Sequence, residues 1–243
     1  KIVSNYIKEK INNIVKDKDV AKKLTDFGHP FTSKRPTLNT DYFETFNKRN
    51  VRLIDLKTNP IIKITKNGIK TKKEELKFDK IIFATGYDAL SGPILSLNLT
   101  GRKNIKLKKY WKNGPKTYLG LMIPYFPNFF IISGPGSPSV LTNVPAQIQQ
   151  HVEWISEFLK YLEKSKSLSV EPGPKEAENW VKKINNLANK SLFMKAKNSW
   201  YKGDNIPGKP KTFIPYPAGL PQYREICNKV QKKMYKGFYI SHK

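Results

Sequence analysis

The stretch Phe78-Asp79-Lys80-Ile81-Ile82-Phe83-Ala84-Thr85-Gly86 decides the fold. An apolar run closing on small residues suits a strand buried on both faces of a parallel sheet. Pro127 to Ile132 is a second such run, and it stops at Ser133-Gly134-Pro135-Gly136-Ser137-Pro138-Ser139. Strands that end in glycine-bearing turns and alternate with helical patterns define an α/β architecture. In doubly wound sheets, ligands sit beyond the carboxyl ends of the strands. Ala84, Thr85, Gly86, Gly134, Gly136 and Ser137 stand at those ends, where small or absent side chains permit close backbone approach. Either motif alone is better read as a simple turn.

Outward from these runs the chain alternates. Ile7, Ile11 and Ile14 recur at helical spacing over 5–15, and Asp19 is placed to cap a second helix through Val20, Ala21 and Leu24. Residues 27–36 hold Gly28, Pro30 and Pro36 and read as a loop. A helical turn at 42–47 leads to an expected strand at 51–56. Ile61–Thr65, Lys66-Asn67-Gly68 and Ile69–Thr71 make a hairpin signal, with Asn-Gly suited to a type I′ turn. The charged patch Lys72-Lys73-Glu74-Glu75 follows. Ile148, Val152, Ile155, Leu159 and Leu162 keep helical spacing, and a further helix starts after Gly173-Pro174 with Glu176 and Glu178 in its first turn. Residues 198–223, rich in Gly, Pro and aromatics, read as an ordered loop.

Composition excludes several classes. The 243 residues are 38% hydrophobic and 12% aromatic, enough for a packed core. No run reaches the roughly 18 apolar residues of a membrane span, so no membrane partner is expected and a cytoplasmic location is. The lone Cys227 excludes an intramolecular disulfide and a cysteine zinc site, and His29, His151 and His242 are too scattered for a histidine metal site. A net charge of +26 invites a nucleic-acid reading. Against it, lysines are spread along the whole chain, and arginine, the bidentate reader of guanine and phosphate, occurs only at 35, 49, 52, 102 and 224. No nucleic-acid partner is expected.

A third segment narrows the reading. Asn198-Ser199-Trp200-Tyr201-Lys202-Gly203-Asp204-Asn205-Ile206-Pro207-Gly208-Lys209-Pro210 resembles a signature of Baeyer–Villiger monooxygenases of the cyclohexanone monooxygenase type, the class B flavoprotein monooxygenases. Phe83-Ala84-Thr85-Gly86-Tyr87-Asp88-Ala89-Leu90, Tyr118-Leu119-Gly120-Leu121 ahead of Pro127-Asn128, and Gly134 to Ser139 resemble the same family, in its order. The resemblance covers essentially the whole chain. It implies the C-terminal part of a two-dinucleotide (FAD and NADP, Rossmann-like) flavoprotein. Residues 1–42 would then end a helical insert, 43–88 complete the NADP domain, and 89–243 complete the FAD domain with a mobile loop near 198–215.

The resemblance also implies roles. The intact protein would use NADPH, FAD and molecular oxygen to turn a ketone into an ester or lactone through an anionic flavin peroxide, as a monomer. Lys34 and Arg35 match a Lys-Arg pair that faces the cofactors. Arg35 suits the catalytic charge because guanidinium stays protonated and presents donors in a plane, while Lys34 suits the phosphate or ribose side of NADPH. Trp200 matches a tryptophan that helps hold NADP. Leu141, Val144 and Phe213 fall where substrate-pocket walls are placed, and Trp111, Trp154 and Trp180 are read as core. No Gly-x-Gly-x-x-Gly phosphate loop is present, so the chain is expected to be inactive alone. The alternatives are a related flavin monooxygenase of amines or sulfides, which would not need Arg35, and a non-catalytic basic binding domain.

Overall fold

The computed structural model describes residues 2–242. They form two compact units, one of residues 2–32 with Pro36–Gly86, the other of Ser33–Arg35 with residues 87–242.

The first unit opens with helices α1 (Ile2–Ile14) and α2 (Lys18–Leu24) and the single turn α3 (Tyr42–Thr45). The isoleucine periodicity works as expected: Ile11, Val15 and Ala21 are buried, with Ile7, Ile14, Leu24, Phe43 and Phe46 packed around them. The cap of α2 is Asp17, not Asp19. Its Oδ1 accepts the amides of Asp19 and Val20 at 2.9 and 3.1 Å, and Asp19 lies inside the first turn. Residues 51–56 form no strand. A three-stranded antiparallel sheet follows, β1 (Ile61–Thr65), β2 (Gly68–Thr71) and β3 (Glu75–Lys77), in the order β1-β2-β3.

Within that hairpin Thr65 pairs with Gly68, so Lys66 and Asn67 make the turn, one residue earlier than Asn-Gly chemistry suggests. Gly68 is needed for a different reason: a Cβ there would collide with the Leu76 carbonyl of β3. β3 has no counterpart in the sequence reading, because three residues of mixed charge carry too little periodicity to be read as a strand.

The run 78–86 is not a strand here. Its Phe78 amide donates to Asn67 O at 3.0 Å, but the run joins no ladder, and Ile82 is 91% and Phe83 64% exposed. A two-faced buried strand requires neighbours on both sides, and every ladder among the described residues is antiparallel and belongs to another segment.

The second unit contains α4 (Ser91–Ser96), α5 (Leu107–Tyr110), α6 (Val144–Lys164), β4 (Ser167–Pro172), α7 (Pro174–Asn189), α8 (Gly219–Lys232) and β5 (Phe238–His242). Asn143 caps α6 by accepting the Ala146 amide at 3.1 Å, and Pro174 opens α7. The helices bury Trp154, Phe158 and Leu162 from α6, Trp180 and Ile184 from α7, and Tyr223 and Cys227 from α8. Each large side chain so buried contributes about 2 to 3 kcal/mol. Phe158 stacks on Tyr235 at 3.9 Å between centroids, and Trp180 on Tyr216 at 5.2 Å. Trp111, buried in a second cluster with Leu107, Ile123 and Phe126, is core as expected.

Two more expectations change in this unit. Residues 127–132 contribute one isolated bridge, Met122 to Phe130, instead of a strand. Asn128 and Ser133 both take positive φ, which bends the run at each end. Asn128 also exchanges bonds with the middle of β4, its backbone amide donating to Val170 O at 2.9 Å and its Oδ1 accepting the Val170 N–H at 3.0 Å. The loop read over 198–223 ends early, because α8 begins at Gly219.

His151 is fully buried in the middle of α6. Its Nδ1 accepts the Ser133 amide at 3.1 Å, its Nε2 faces the Tyr223 hydroxyl at 2.9 Å, and that hydroxyl donates to Leu119 O at 2.6 Å. This pattern requires the neutral tautomer with a proton on Nε2. Burial pushes the imidazole down to about 4.

Candidate active site

Ser33, Lys34 and Arg35 belong to the second unit although their neighbours in sequence belong to the first. Two contacts secure them there. Lys34 Nζ donates to Asn198 O at 3.2 Å, and Arg35 Nη1 donates to Val140 O. The basic dipeptide is thereby tied to the start of the Trp200 segment and to the residue preceding Leu141. Ser33 is fully buried and anchors the triplet, while the Arg35 side chain remains exposed.

The Trp200 segment is rigidly built. Residues 200–202 form a 3-10 turn closed by Gly203 in the left-handed region, φ 69°. The Ser199 amide donates to Asp204 Oδ1 at 2.5 Å, and Asp204 pairs with Lys202 at 3.0 Å with both side chains largely buried. Burial raises the Asp204 carboxyl, but the Lys202 and Ser199 bonds outweigh it and hold it below the usual carboxylate range. Further on, Lys209 pairs with Asp88. Trp200 is half-buried against the main core and meets Tyr201 edge-on at 4.6 Å. It is both a packing residue and a partly open indole face.

Tyr201 had no role in the sequence reading, yet it sits at the junction. Its side chain is 2% exposed, and its hydroxyl has no well-formed hydrogen bond. Burial raises the phenol above its usual value, and the facing Arg35 amide and charge pull it partly back. Val140, Asn198 and Tyr201 act through backbone carbonyls or a buried hydroxyl. Residue type does not advertise such roles.

The remaining expected site residues divide. Leu141 lies in the 3-10 turn Ser139–Leu141 and Val144 at the first position of α6, both half-buried and close in sequence to the Arg35 contact. Phe213 is in the core, 4% exposed and backed by Phe193 and Tyr201. The cavity beside it measures about 10 Å³, room for one water and not for a ketone.

Gly134, Gly136 and Ser137 are packed by the protein itself. A Cβ on Gly134 would meet Gly120 O at 2.5 Å, and one on Gly136 would meet Thr117 Oγ1 at 2.9 Å and Trp180 Nε1 at 3.0 Å. Gly136 donates to Ile214 O and accepts from Trp180 Nε1, while Ser137 Oγ donates to Gly134 O and accepts from Gln147. At these residues the close approach is made by the chain's own Gly120, Thr117 and Trp180. Ala84, Thr85 and Gly86, in the first unit, are the opposite case. All three are exposed, and nothing lies within 4 Å of where a Gly86 Cβ would stand.

No protein-family model matches the chain. It is 40% identical over 97% of its length to a cyclohexanone 1,2-monooxygenase of Acinetobacter sp, covering 43% of that protein. It is 41% identical over 96% of its length to a Baeyer-Villiger monooxygenase of Pseudooceanicola batsensis, covering 42% of it. In structure it matches a crystal form of OTEMO, solved with FAD and NADP, at a TM-score of 0.93 and 33% identity, over 98% of this chain and 44% of that one. The fold is that of the FAD- and NADP-binding monooxygenases, and the chain is homologous to the class B flavoprotein monooxygenases. Within that class its relatives are of the Baeyer–Villiger, cyclohexanone monooxygenase type, and it spans less than half of their length. Among the described residues no helix is long and apolar enough to cross a membrane.

Proposed function

We propose that this chain is the C-terminal part of an FAD- and NADPH-dependent Baeyer–Villiger monooxygenase that converts a ketone and molecular oxygen into an ester or lactone. The observation that carries the reading is the meeting of Lys34-Arg35, the Trp200 segment and Val140-Leu141 in one unit. The residues fit the cofactors in two respects. The exposed Ala84-Thr85-Gly86 segment leaves space for a ligand to approach the backbone, and the exposed Arg35, which faces Tyr201 next to the half-buried Trp200 indole, suits an anionic dinucleotide. Residues 43–88 are assigned to the NADP domain and those beyond to the FAD domain.

When bound, the flavin supplies the activation of oxygen. Arg35 presents five N–H donors and spends one on Val140 O, so the others are free for negative charge developing on the carbonyl oxygen of the ketone. Lys34, held by Asn198 O, carries a point charge suited to a phosphate of NADPH, and Trp200 offers its indole face to the same cofactor. Leu141 and Val144 give an apolar wall beside the Arg35 contact, which favours a ketone over a charged substrate.

In the whole protein, Arg35→Ala is expected to abolish lactone formation from a cyclic ketone while NADPH still bleaches the flavin absorbance. Lactone formation at the parent rate would overturn the assignment. It would favour a related monooxygenase of amines or sulfides.

A further inference from the structure

The densest run of like charge in the chain contributes no residue to that site. Residues 102–116 contain Arg102, Lys103, Lys106, Lys108, Lys109, Lys112 and Lys116 and no acid. Elsewhere acids are interspersed with the lysines, and some of these pair: Lys57 with Asp26, Lys160 with Glu157, Lys229 with Glu225. Within the run, Arg102 pairs with Glu171, Lys116 with Glu178, and Lys106 donates to Thr100 Oγ1 at 2.7 Å. Lys103, Lys108, Lys109 and Lys112 have no carboxylate within ion-pair distance among the described residues.

The local fold concentrates these cations. Leu107 and Trp111, four apart on and just past α5, turn inward and are 1% and 3% exposed. Lys108, Lys109 and Lys112 are thereby turned outward, where Lys108 and Lys112 repel as an i, i+4 pair. They rim a pocket of about 560 Å³ floored by Leu95, Trp111 and Pro210, with Lys106 at its edge. That volume is of small-molecule size, and an apolar floor inside a ring of unpaired ammonium groups matches a molecule with an apolar body and a negative head.

We propose that this pocket binds a small amphipathic anion, an acyl or aryl body carrying a carboxylate or phosphate, taken up as a free monomer. The proposal does not depend on the flavin chemistry. Apolar contact with the half-buried Leu95 and Pro210, over the edge of Trp111, supplies the attraction that is insensitive to salt, and the lysines supply selectivity for negative charge. Pro210 ends the Trp200 segment, so the occupied pocket abuts that segment.

The test is calorimetric titration of the whole chain with dodecanoate below its micelle concentration, with Trp111 emission as a second readout. Saturable one-to-one binding is expected, weakened by salt and stronger than that of dodecanol or dodecyltrimethylammonium. Lys108→Gln/Lys109→Gln/Lys112→Gln, all at exposed positions, should weaken it about tenfold. The charge-matched control Lys22→Gln/Lys72→Gln/Lys73→Gln should leave it unchanged, and Trp111→Phe should remove the emission change. Equal weakening by both triple variants would reduce the effect to the net charge of +26 and overturn the proposal. Equal affinity for dodecanol would overturn it too. So would binding to phosphatidylcholine–phosphatidylglycerol vesicles without binding of monomeric dodecanoate, which would make the pocket a membrane-contact patch.

Discussion

Gly86 and Gly136 share almost the same φ, 89° and 91°, in opposite surroundings. Around Gly86 there is open space. Around Gly136, Thr117 and Trp180 already occupy the position a Cβ would take. Both close an apolar run, and both look alike as sequence. The difference shows that a glycine at the end of an apolar run has two separate causes: freedom to adopt positive φ, shared by both, and the close packing of a neighbour, which applies only to Gly136. The Gly136 turn is finished within its own unit, whereas the Gly86 turn presents its backbone outward. For this reason only the latter carries a ligand-approach argument.

The contrast is broken most directly by a methyl group. Gly136→Ala combines left-handed strain with overpacking against Trp180 and is expected to cost about 3 to 4 kcal/mol. Gly86→Ala meets only the strain, about 1 kcal/mol. Urea unfolding followed by tryptophan emission and by circular dichroism checks both. Similar losses at the two sites would remove the packing cause.

The second unit has a further signature that the first lacks, a buried imidazole held neutral. His151 titrates at about 4 when folded, against an ordinary value of about 6.5. Its contribution is therefore complete above pH 6.5 and is lost as pH falls from there toward 4, because the unfolded chain binds the proton more readily. The loss is about 3 kcal/mol across that window. His151→Gln should start from lower stability at neutral pH and show a flatter profile below it. A parent profile that is flat between pH 6.5 and 4 would contradict the neutral network with Ser133 and Tyr223.

A smaller effect belongs to the first unit. Asp17→Ala removes the acceptor of two amides at the head of α2 and should cost about 1 kcal/mol, whereas Asp19→Ala should cost less. The pair also shows how far local chemistry is legible. Either aspartate is a reasonable cap by type, and only the direction in which the chain enters the helix selects Asp17. Where periodicity spans several turns, as in α1 and α6, it predicts the helix. In α1 it also predicts the buried face, but in α6 Ile148, Val152 and Leu159 are exposed, and His151, Trp154, Phe158 and Leu162 fill the core side instead. Reading from residue type thus finds these elements and only partly their faces. It fails where a neighbour distant in sequence decides. β4 and β5 exist because each pairs with the other, and 127–132 bends because Asn128 reaches to Val170. In the candidate site, Arg35, Lys34 and Trp200 stand out through side-chain chemistry and motif. Val140, Asn198 and Tyr201 do not, because their part is played by carbonyl groups and a buried hydroxyl.

The smallest expected effect tests the open side of the comparison. Ile82 and Phe83 belong to an apolar run whose composition fits a strand interior, yet both side chains face solvent. If they were packed, Ile82→Ser and Phe83→Ser would lose several kcal/mol, as core truncations do. With the exposure seen here, the double variant should change stability by no more than about 0.5 kcal/mol, the range of ordinary surface substitutions. It should also raise solubility by removing an exposed β-prone segment. Urea titration measures the first effect and light scattering the second. A loss of 2 kcal/mol or more would mean that the run is buried in solution, and the open approach to Gly86 would go with it.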